Sequence, residues 1–434
     1  MEAAYSRELM AFLDASPTAY HAAENLKKEL LEAGYTRLFE SHPWNLSEGG
    51  KYFVMRGESS VIAFRIPKRD FRGFMIGAAH NDSPTFKVRE TAEMAAAGNC
   101  ICLSVEPYGG LVRRSWMDRP LSVAGRVMVR QGDALVPRLV NIDRDLLVIP
   151  SVAPHLDKEI NTGGVIKPNV DILPLFAEGT EKGALRRLMA ESMGVREEDI
   201  VTSDLFLYSR TPAAALGASG EFIGAPRLDD LDCVFCCMKG FLQAEESESM
   251  PVLAMFNDEE IGSLTRQGAD STFLSDVLRR VSSGLGRSEE EYLVAVANSF
   301  MVSADNGHAV HPAHPEFSDR NENCVINGGV VIKYTAAQRY MSDGFTAAVF
   351  QQVCERAGVP LQRYSNRADL PGGSTLGNIS TAHLSVPGVD IGLPQLAMHT
   401  AYEVAGARDV EYLVRTMKEY YGSSFCCEGE FVRI

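Results

Sequence analysis

The 434-residue sequence has no apolar run of the roughly 20 residues that a membrane-spanning helix requires. Its longest apolar stretches, such as YLVAVANSFMVSA and PVLAMF, are shorter than that. The N-terminus also lacks the basic segment followed by an apolar segment that is typical of a secretory signal. From these absences we expect a soluble, intracellular protein that has no membrane partner.

Clusters of lysine and arginine are absent as well. The formal net charge is -15, and the isoelectric point is near 5.2. Because contacts with nucleic-acid phosphates need clustered basic side chains, the composition argues against a nucleic-acid partner.

The nine cysteines do not form the pattern of a disulfide framework. Their number is odd and two pairs are adjacent in the sequence, so we expect free thiols in a reducing cytoplasm. The segment CVFC, from Cys233 to Cys236, matches a CxxC motif, but it lies in a helical pattern and no second CxxC occurs elsewhere. We interpret these cysteines as small buried side chains of the core.

Neither internal repeats nor a low-complexity linker divides the chain, although its length predicts two or three domains. Helical spacing and buried-looking strands occupy both ends of the sequence, whereas short alternating strands with Gly/Pro turns occupy its middle. We therefore predict one α/β domain, formed by residues 1–88 and 222–434, and split by an inserted β-rich domain at residues 89–221.

Three apolar strands are predicted to end in acidic or imidazole side chains. MIGAAHND ends at His80 and Asp82, VLAMFNDEE ends at Glu259 and Glu260, and SFMVSAD ends at Asp305. Because ligands of an open α/β sheet gather beyond the carboxyl ends of its strands, we expect these side chains to converge there.

Two further motifs fit the same place. APRLDDLD sets Asp229 and Asp230 at the entry to a helix, and GLPQLAMHTAYE brings in His399 after a strand and a short loop. Taken singly, such an aspartate is most often a helix cap or first-turn acid, and a lone histidine after a strand is most often structural.

Together these residues indicate a metal site. Several carboxylates in one crevice are costly unless cations compensate their charge. A mixture of His, Asp and Glu suits zinc, cobalt or manganese better than calcium, and two ions roughly 3.5–4 Å apart form a known hydrolytic centre. Of two adjacent acids at the end of a strand, one can bind metal while the other serves as base for a metal-held water.

Six motifs, in this order and spacing, resemble the M18 family of zinc aminopeptidases, in particular its aspartyl aminopeptidase group. They are GAAHNDSP, EFIGAPRLDDL, FNDEEIGS, SADNGHAVHP, VIKYTAAQRY and PQLAMHTAYE. The similarity runs from about residue 10 to residue 420, and it includes the insert, where YGGLVRRSWMDRPLSVAGRV and PHLDKEIN resemble the dimerisation domain of the family.

The resemblance implies a phosphorylase/hydrolase-like catalytic domain, with a central mixed sheet flanked by helices, and two divalent metal ions per subunit. It implies dimers that assemble into a tetrahedral dodecamer. Carried over position by position, it implies metal ligands at His80, Asp229, Glu260, Asp305 and His399, with Asp229 bridging the two ions.

The resemblance also implies the roles of six further residues. Glu259 would be the general base, and Asp82 would orient His80. His155, in the insert, would reach into the active site of a neighbouring subunit. Lys333, His308 and Tyr340 would contact the substrate, with Lys333 pairing with an acidic side chain.

The expected function is hydrolysis of the N-terminal residue from short peptides, with a preference for Asp or Glu. HNDSPTFKV and LPGGSTLGNIS depart from the usual pattern of the family, so a neutral or hydrophobic preference is one alternative. A non-catalytic metal-binding scaffold, a metallo-deacylase or a carboxypeptidase are others. A serine hydrolase built on Ser374 is disfavoured, because the segment lacks the G-x-S-x-G nucleophile elbow.

Overall fold

The computed structural model describes residues 4–67, 70–370, 372–428 and 431–434. In chain order, its α-helices are α1 (Ala4–Asp14), α2 (Ala19–Glu32), α3 (Pro168–Asp171), α4 (Ala184–Met193), α5 (Leu228–Gln243), α6 (Phe273–Gly284), α7 (Glu289–Ala297), α8 (Gly344–Ala357), α9 (Leu376–Ser380) and α10 (Ala407–Tyr421). Within the described ranges, none of the helices has the length and apolar character needed to cross a membrane.

The strands, in chain order, are β1 (Thr36–Leu38), β2 (Lys51–Arg56), β3 (Ser60–Arg65), β4 (Phe74–His80), β5 (Thr85–Ala96), β6 (Cys100–Tyr108), β7 (Leu121–Gln131), β8 (Ala134–Asn141), β9 (Leu175–Glu178), β10 (Ile200–Ser209), β11 (Ala214–Leu216), β12 (Phe222–Ala225), β13 (Met250–Phe256), β14 (Phe300–Ala304), β15 (Gly307–His308), β16 (Val330–Tyr334), β17 (Leu361–Ser365), β18 (Gly388–Gly392), β19 (Pro394–Leu396), β20 (Glu403–Gly406), β21 (Cys426–Glu428) and β22 (Phe431–Arg433).

A nine-stranded mixed sheet forms the centre of the larger part of the chain. Its order is β1-β2-β3-β13-β4-β14-β18-β16-β17, and β13, β4, β14 and β18 run parallel to one another. Every residue of these four strands is buried. Burial of both faces is the reason that these strands read as continuous apolar runs in the sequence.

Helices cover both faces of this sheet. One apolar core lies between the sheet and α1, α2, α5, α8 and α10, and a second core lies between the opposite face and α6, α7 and α9. The prediction of an α/β fold with a central mixed sheet flanked by helices is therefore confirmed.

A separate antiparallel sheet, of order β8-β7-β10-β5-β6-β9, takes all its strands from between Thr85 and Ser209. It has its own apolar core, to which Phe86, Trp116 and Leu205 contribute and which α4 covers. From β11 onward the chain pairs with β12 and β20 in a third sheet. The strands of this inserted sheet thus begin at Thr85, before the predicted boundary at residue 89, and end at Ser209, before residue 221. The exact division into domains stays a prediction.

The cysteines of the CVFC motif lie in α5, in the core beneath the central sheet. Cys233 and Cys236 are fully buried, and all nine cysteines of the chain are free thiols. Their interpretation as core side chains is confirmed.

Candidate metal centre

The candidate site lies at the carboxyl ends of three adjacent strands. His80 is the last residue of β4, Asp305 directly follows β14, and Glu259 and Glu260 form a short 3-10 turn after β13. Because β13, β4 and β14 are parallel neighbours, their ends meet at one edge of the sheet. The sequence-based expectation that these side chains converge is met by the structure.

Asp229 lies between two imidazoles. Its Oδ1 atom is 3.5 Å from His80 Nε2, and its Oδ2 atom is 3.3 Å from His399 Nε2. His80 Nε2 is also 3.7 Å from Asp305 Oδ1, and His399 Nε2 is 3.5 Å from Glu260 Oε1. Each oxygen of Asp229 therefore belongs to a different set of three donor atoms.

The spacing of these donor atoms fits bound ions better than direct hydrogen bonds. Charge-assisted hydrogen bonds measure about 2.7–2.9 Å, which is shorter than any of the four distances. Two ligands of a tetrahedral zinc ion, each bound at about 2.0–2.2 Å, stand about 3.3–3.6 Å apart. Imidazole nitrogens with carboxylate oxygens are also ligands that zinc accepts.

Two of the carboxylate oxygens have no hydrogen-bond partner in the described part of the chain. They are Asp229 Oδ1 and Glu260 Oε1, and both are buried. A buried carboxylate oxygen without a donor is costly unless a cation faces it. The residues present therefore fit a metal centre.

The pKa values of the two glutamates are raised by burial and because negative charge is crowded in the site. Burial, reinforced by nearby carboxylates such as Asp305, raises the pKa of Glu259 to about 8. Burial and the charge of Asp229 raise the pKa of Glu260 well above its usual range. Without a metal ion, protons must take the place of cations in this crevice.

The histidines show the complementary effect. Burial acts to lower the pKa of His399, but the nearby carboxylates of Asp229 and Glu260 raise it to about 10. The pKa of His80 is also raised well above its usual range, because Asp229 and Asp305 outweigh its burial. Burial opposes the shift of Asp229, yet His399 and His80 hold the pKa of Asp229 below its usual range.

Asp82 joins His80 to the turn that carries the two glutamates. Its Oδ1 atom lies 3.4 Å from His80 Nδ1, and its two oxygens accept the backbone N–H groups of Glu259 and Glu260, each at 3.1 Å. The structure thus places Asp82 where a carboxylate can orient both a histidine and the neighbouring turn.

The sequence analysis missed Glu403, and it named Asp230 beside Asp229 without giving it a role. Glu403 is buried and accepts the backbone N–H groups of Asp229 at 3.0 Å and His399 at 2.7 Å. Asp230 is buried beside His80 and accepts its backbone N–H at 3.2 Å, and it forms a possible metal-binding group with His80 and Asp305. In the sequence, their only link to the site was that Asp230 lies in the motif LDDL and Glu403 lies in the motif HTAYE.

The three residues assigned to substrate contact lie in different surroundings. Lys333 is buried, its Nζ atom donates to Asp305 Oδ2 at 3.2 Å and to the carbonyl of Asn306 at 3.3 Å, and it lies over the ring of Tyr340. His308 is exposed and lines a cavity of about 490 Å³ that extends to Met398, next to His399. Lys333 therefore contacts a candidate metal ligand, whereas His308 faces open space.

His155 and Ser374 lie apart from this constellation. His155 is exposed on a segment without helix or strand, and no hydrogen bond joins it to a described residue of the metal centre. The hydroxyl of Ser374 donates to the side chain of Asn378 at 3.2 Å, so it has no histidine base among the residues described here. A serine hydrolase is thereby disfavoured further.

Comparisons with known proteins agree with this geometry. The family model described as aminopeptidase I zinc metalloprotease (M18) matches residues 12–421. A probable M18 family aminopeptidase 2 of Clostridium acetobutylicum is 42% identical over 428 residues, which cover 97% of this chain and 99% of that protein. A protein of the same description from Pseudomonas aeruginosa is 38% identical over 432 residues, covering 98% of this chain and 99% of the relative.

Solved structures show the same fold. A chain in the cryo-EM structure of the Ape4 and Nbr1 complex aligns with a TM-score of 0.93 and 34% identity, covering 96% of this chain and 85% of that chain. The S. cerevisiae mApe1 dodecamer aligns with a TM-score of 0.84 and 25% identity, covering 96% of each chain. With a family model that spans almost its whole length, the chain belongs to the M18 family of zinc metalloproteases, and it is a metallo-exopeptidase of the aminopeptidase class.

Proposed function

We propose that the protein is a two-metal aminopeptidase that removes the N-terminal residue from short peptides and prefers an acidic one. The observation that carries this proposal is the position of Asp229, whose two oxygens face two separate histidine–carboxylate pairs at 3.3 and 3.5 Å. A carboxylate in that position is suited to bridge two ions.

The proposed ligands divide into two sets around Asp229. His80 and Asp305 lie on the side of Oδ1, and His399 and Glu260 lie on the side of Oδ2. Zinc is the metal that we assign to both sets, with cobalt or manganese as substitutes that the same ligands accept. When bound, the ions would supply Lewis acidity toward the scissile carbonyl.

Glu259 is the proposed general base. Its carboxylate would accept a proton from the attacking water and deliver that proton to the leaving amine. The hydrogen bond from its backbone N–H to Asp82 fixes the start of the turn that carries this carboxylate. The acids of the crevice would also anchor the free α-amine of the substrate, which restricts cleavage to the chain end.

Lys333, His308 and Tyr340 are the proposed substrate contacts, with Lys333 pairing with an acidic N-terminal side chain. A buried lysine favours a carboxylate, because a neutral side chain leaves the ammonium without a partner. One observation favours the alternative of a neutral preference: Lys333 Nζ already has Asp305 at 3.2 Å as its partner.

We further propose that subunits assemble and that His155 completes the active site of a neighbour. The S. cerevisiae mApe1 dodecamer is an assembly of a similar chain. In this chain, Leu156, next to His155, is 84% exposed. An apolar side chain this exposed would become buried in a contact between subunits.

We also propose a cytoplasmic location, because the free thiols of the nine cysteines suit a reducing compartment.

Replacing Asp229 by Ala should lower the bound metal below two equivalents per chain and reduce the rate, because both ions lose a shared ligand. Metal analysis after dialysis, together with peptide hydrolysis, measures both effects. Glu106→Gln, at an exposed acid of the insert, serves as the control. Two retained equivalents in the Asp229 variant would show that this residue does not bridge two ions.

Replacing Glu259 by Gln should keep the metal and reduce kcat by about 10²–10⁴-fold, because the amide keeps the shape of the side chain but cannot accept a proton. Steady-state hydrolysis of an aminoacyl substrate at saturating zinc gives the rate. Turnover near that of the wild type would exclude Glu259 as the base.

Replacing Lys333 by Met should reduce kcat/KM for an aspartyl substrate by more than about tenfold, since truncating one partner of a buried ion pair costs about 2–5 kcal/mol. The loss for a leucyl substrate should be much smaller. Both substrates are measured at equal zinc occupancy, because Lys333 contacts Asp305, and Lys51→Met, at an exposed lysine, is the matched control. An unchanged ratio of the two constants, or a wild type that prefers leucine, would favour the neutral alternative.

Mixing His155→Ala chains with Glu259→Gln chains should restore part of the activity that each lacks. In a random mixture, about a quarter of the sites would combine an intact Glu259 with an intact His155 from a neighbour. Native mass spectrometry establishes that subunits have exchanged. No recovery of activity in proven hybrids would contradict a contribution of His155 between subunits.

A further inference from the structure

Three consecutive residues of the insert lie against the metal centre of the same chain. Strand β6 ends at Tyr108, and Gly109 and Gly110 follow it. Each of the three residues contacts a different part of the candidate site, although all of them belong to the inserted sheet and its connections. The sequence analysis placed this segment at the start of YGGLVRRSWMDRPLSVAGRV, which resembles a dimerisation domain, and assigned it no role at the metal centre.

Tyr108 joins the two loops that carry the proposed catalytic residues. Its hydroxyl lies 2.8 Å from Asp82 Oδ2 and 3.0 Å from Asp258 Oδ1. The phenol ring packs edge-on against Phe206, with 5.4 Å between the ring centroids. A side chain anchored in the insert thus supplies one O–H donor to two carboxylates of the catalytic domain.

Both carboxylates shape the turn that carries the glutamates. Asp82 accepts the backbone N–H groups of Glu259 and Glu260. Asp258, the residue before Glu259, accepts the hydroxyl of Thr265 at 2.8 Å through its other oxygen. The phenol therefore ties the start of this turn to the loop after His80.

The two glycines contact the other ligand set. Gly109 has φ +76°, and a Cβ atom at this position would lie 3.1 Å from the Cβ atom of Glu260. The carbonyl of Gly110 accepts a hydrogen bond from His399 Nδ1 at 3.0 Å. Because a carbonyl can only accept, the proton of the imidazole is held on Nδ1, and the lone pair of Nε2 is left for a metal.

We infer that Tyr108, Gly109 and Gly110 form a positioning element of the insert. This element holds His399, Glu260 and the turn of Glu259 in the positions that metal binding and turnover require. Tyr108 acts through Asp82 and Asp258, and the glycines act on Glu260 and His399, so none of the three needs to touch the substrate. The inference rests on the proposed two-metal function. If the segment had only a structural role, substitutions in it would lower the stability of the protein without a specific effect on zinc affinity or kcat.

The first experiment compares Tyr108→Phe with Tyr208→Phe. Tyr208 lies in the same inserted sheet, and its hydroxyl donates to Asn141 at 2.7 Å and accepts from Arg210 at 3.2 Å, so its hydrogen bonds do not involve the acids that Tyr108 contacts. Since residues behind metal ligands typically contribute about 10–100-fold to affinity or activity, we expect Tyr108→Phe to lower kcat by about tenfold and to leave KM within about twofold. We also expect it to weaken zinc binding, measured by competition with a chromogenic chelator, by about tenfold.

The second experiment substitutes Gly109 and does not depend on the Tyr108 variant. Gly109→Ala adds a methyl group against Glu260, whereas Gly98→Ala adds one at the same φ of +76° where no atom lies within 4 Å. The two variants carry equal backbone strain, so a difference between them reports the contact with Glu260. We expect only Gly109→Ala to weaken zinc binding and to alter the visible spectrum of the cobalt-substituted protein.

The outcomes separate this inference from the proposed function. Zinc affinity and kcat of Tyr108→Phe that both stay within about twofold of the wild type would overturn the inference, as would equal losses in Tyr208→Phe. Equal effects of Gly109→Ala and Gly98→Ala on zinc affinity and on the cobalt spectrum would overturn it too. If the zinc-loaded wild type hydrolysed no peptide, the proposed function would fail, while zinc affinity would still test the positioning element.

Discussion

Concentrated negative charge in a crevice that is largely closed to water is the constraint on which the site depends. Asp82, Asp229, Asp230, Asp305 and Glu403 are all buried there, and Lys333 is the buried lysine beside them. One ammonium group and two imidazoles cannot balance so many carboxylates. Burial and the charge of Asp229 or Asp305 therefore raise the pKa values of Asp230 and Glu403, and nearby carboxylates raise the pKa values of His80 and His399. Bound metal would resolve this conflict, and the donor atoms stand at ligand spacing rather than at hydrogen-bond spacing.

The central sheet supplies the geometry that makes this concentration possible. Strands β13, β4 and β14 are adjacent and parallel, so three loops that are distant in sequence end at one edge. Their interiors are fully buried between two layers of helices, and this burial leaves the loops little freedom to move apart. The packing of the sheet therefore holds the acids close together despite their mutual repulsion.

The insert contributes to the site as well as having a sheet of its own. Its segment from Tyr108 to Gly110 contacts both loops with acids and also His399. Beyond that segment, Arg114 donates to the carbonyl of Ile160 at 3.0 Å, in the same exposed region that holds His155. The insert thus makes hydrogen bonds at the metal centre and also in the exposed region that holds His155, where the contact between subunits is proposed.

Much of this architecture was predictable from local patterns. Continuous apolar runs that end in His80, Glu259 or Asp305 indicated buried parallel strands with polar ends. Six motifs in order indicated the M18 family. Both were predictable because the burial of a strand and the chemistry of a loop depend on short stretches of sequence. The role of Asp229 as a bridge came only from the resemblance, whereas the support from Glu403 and Tyr108 and the contact of Lys333 with Asp305 were not predicted. Most of these contacts join residues from 26 to 174 positions apart, and only the packing of the strands, helices and insert decides which side chains meet.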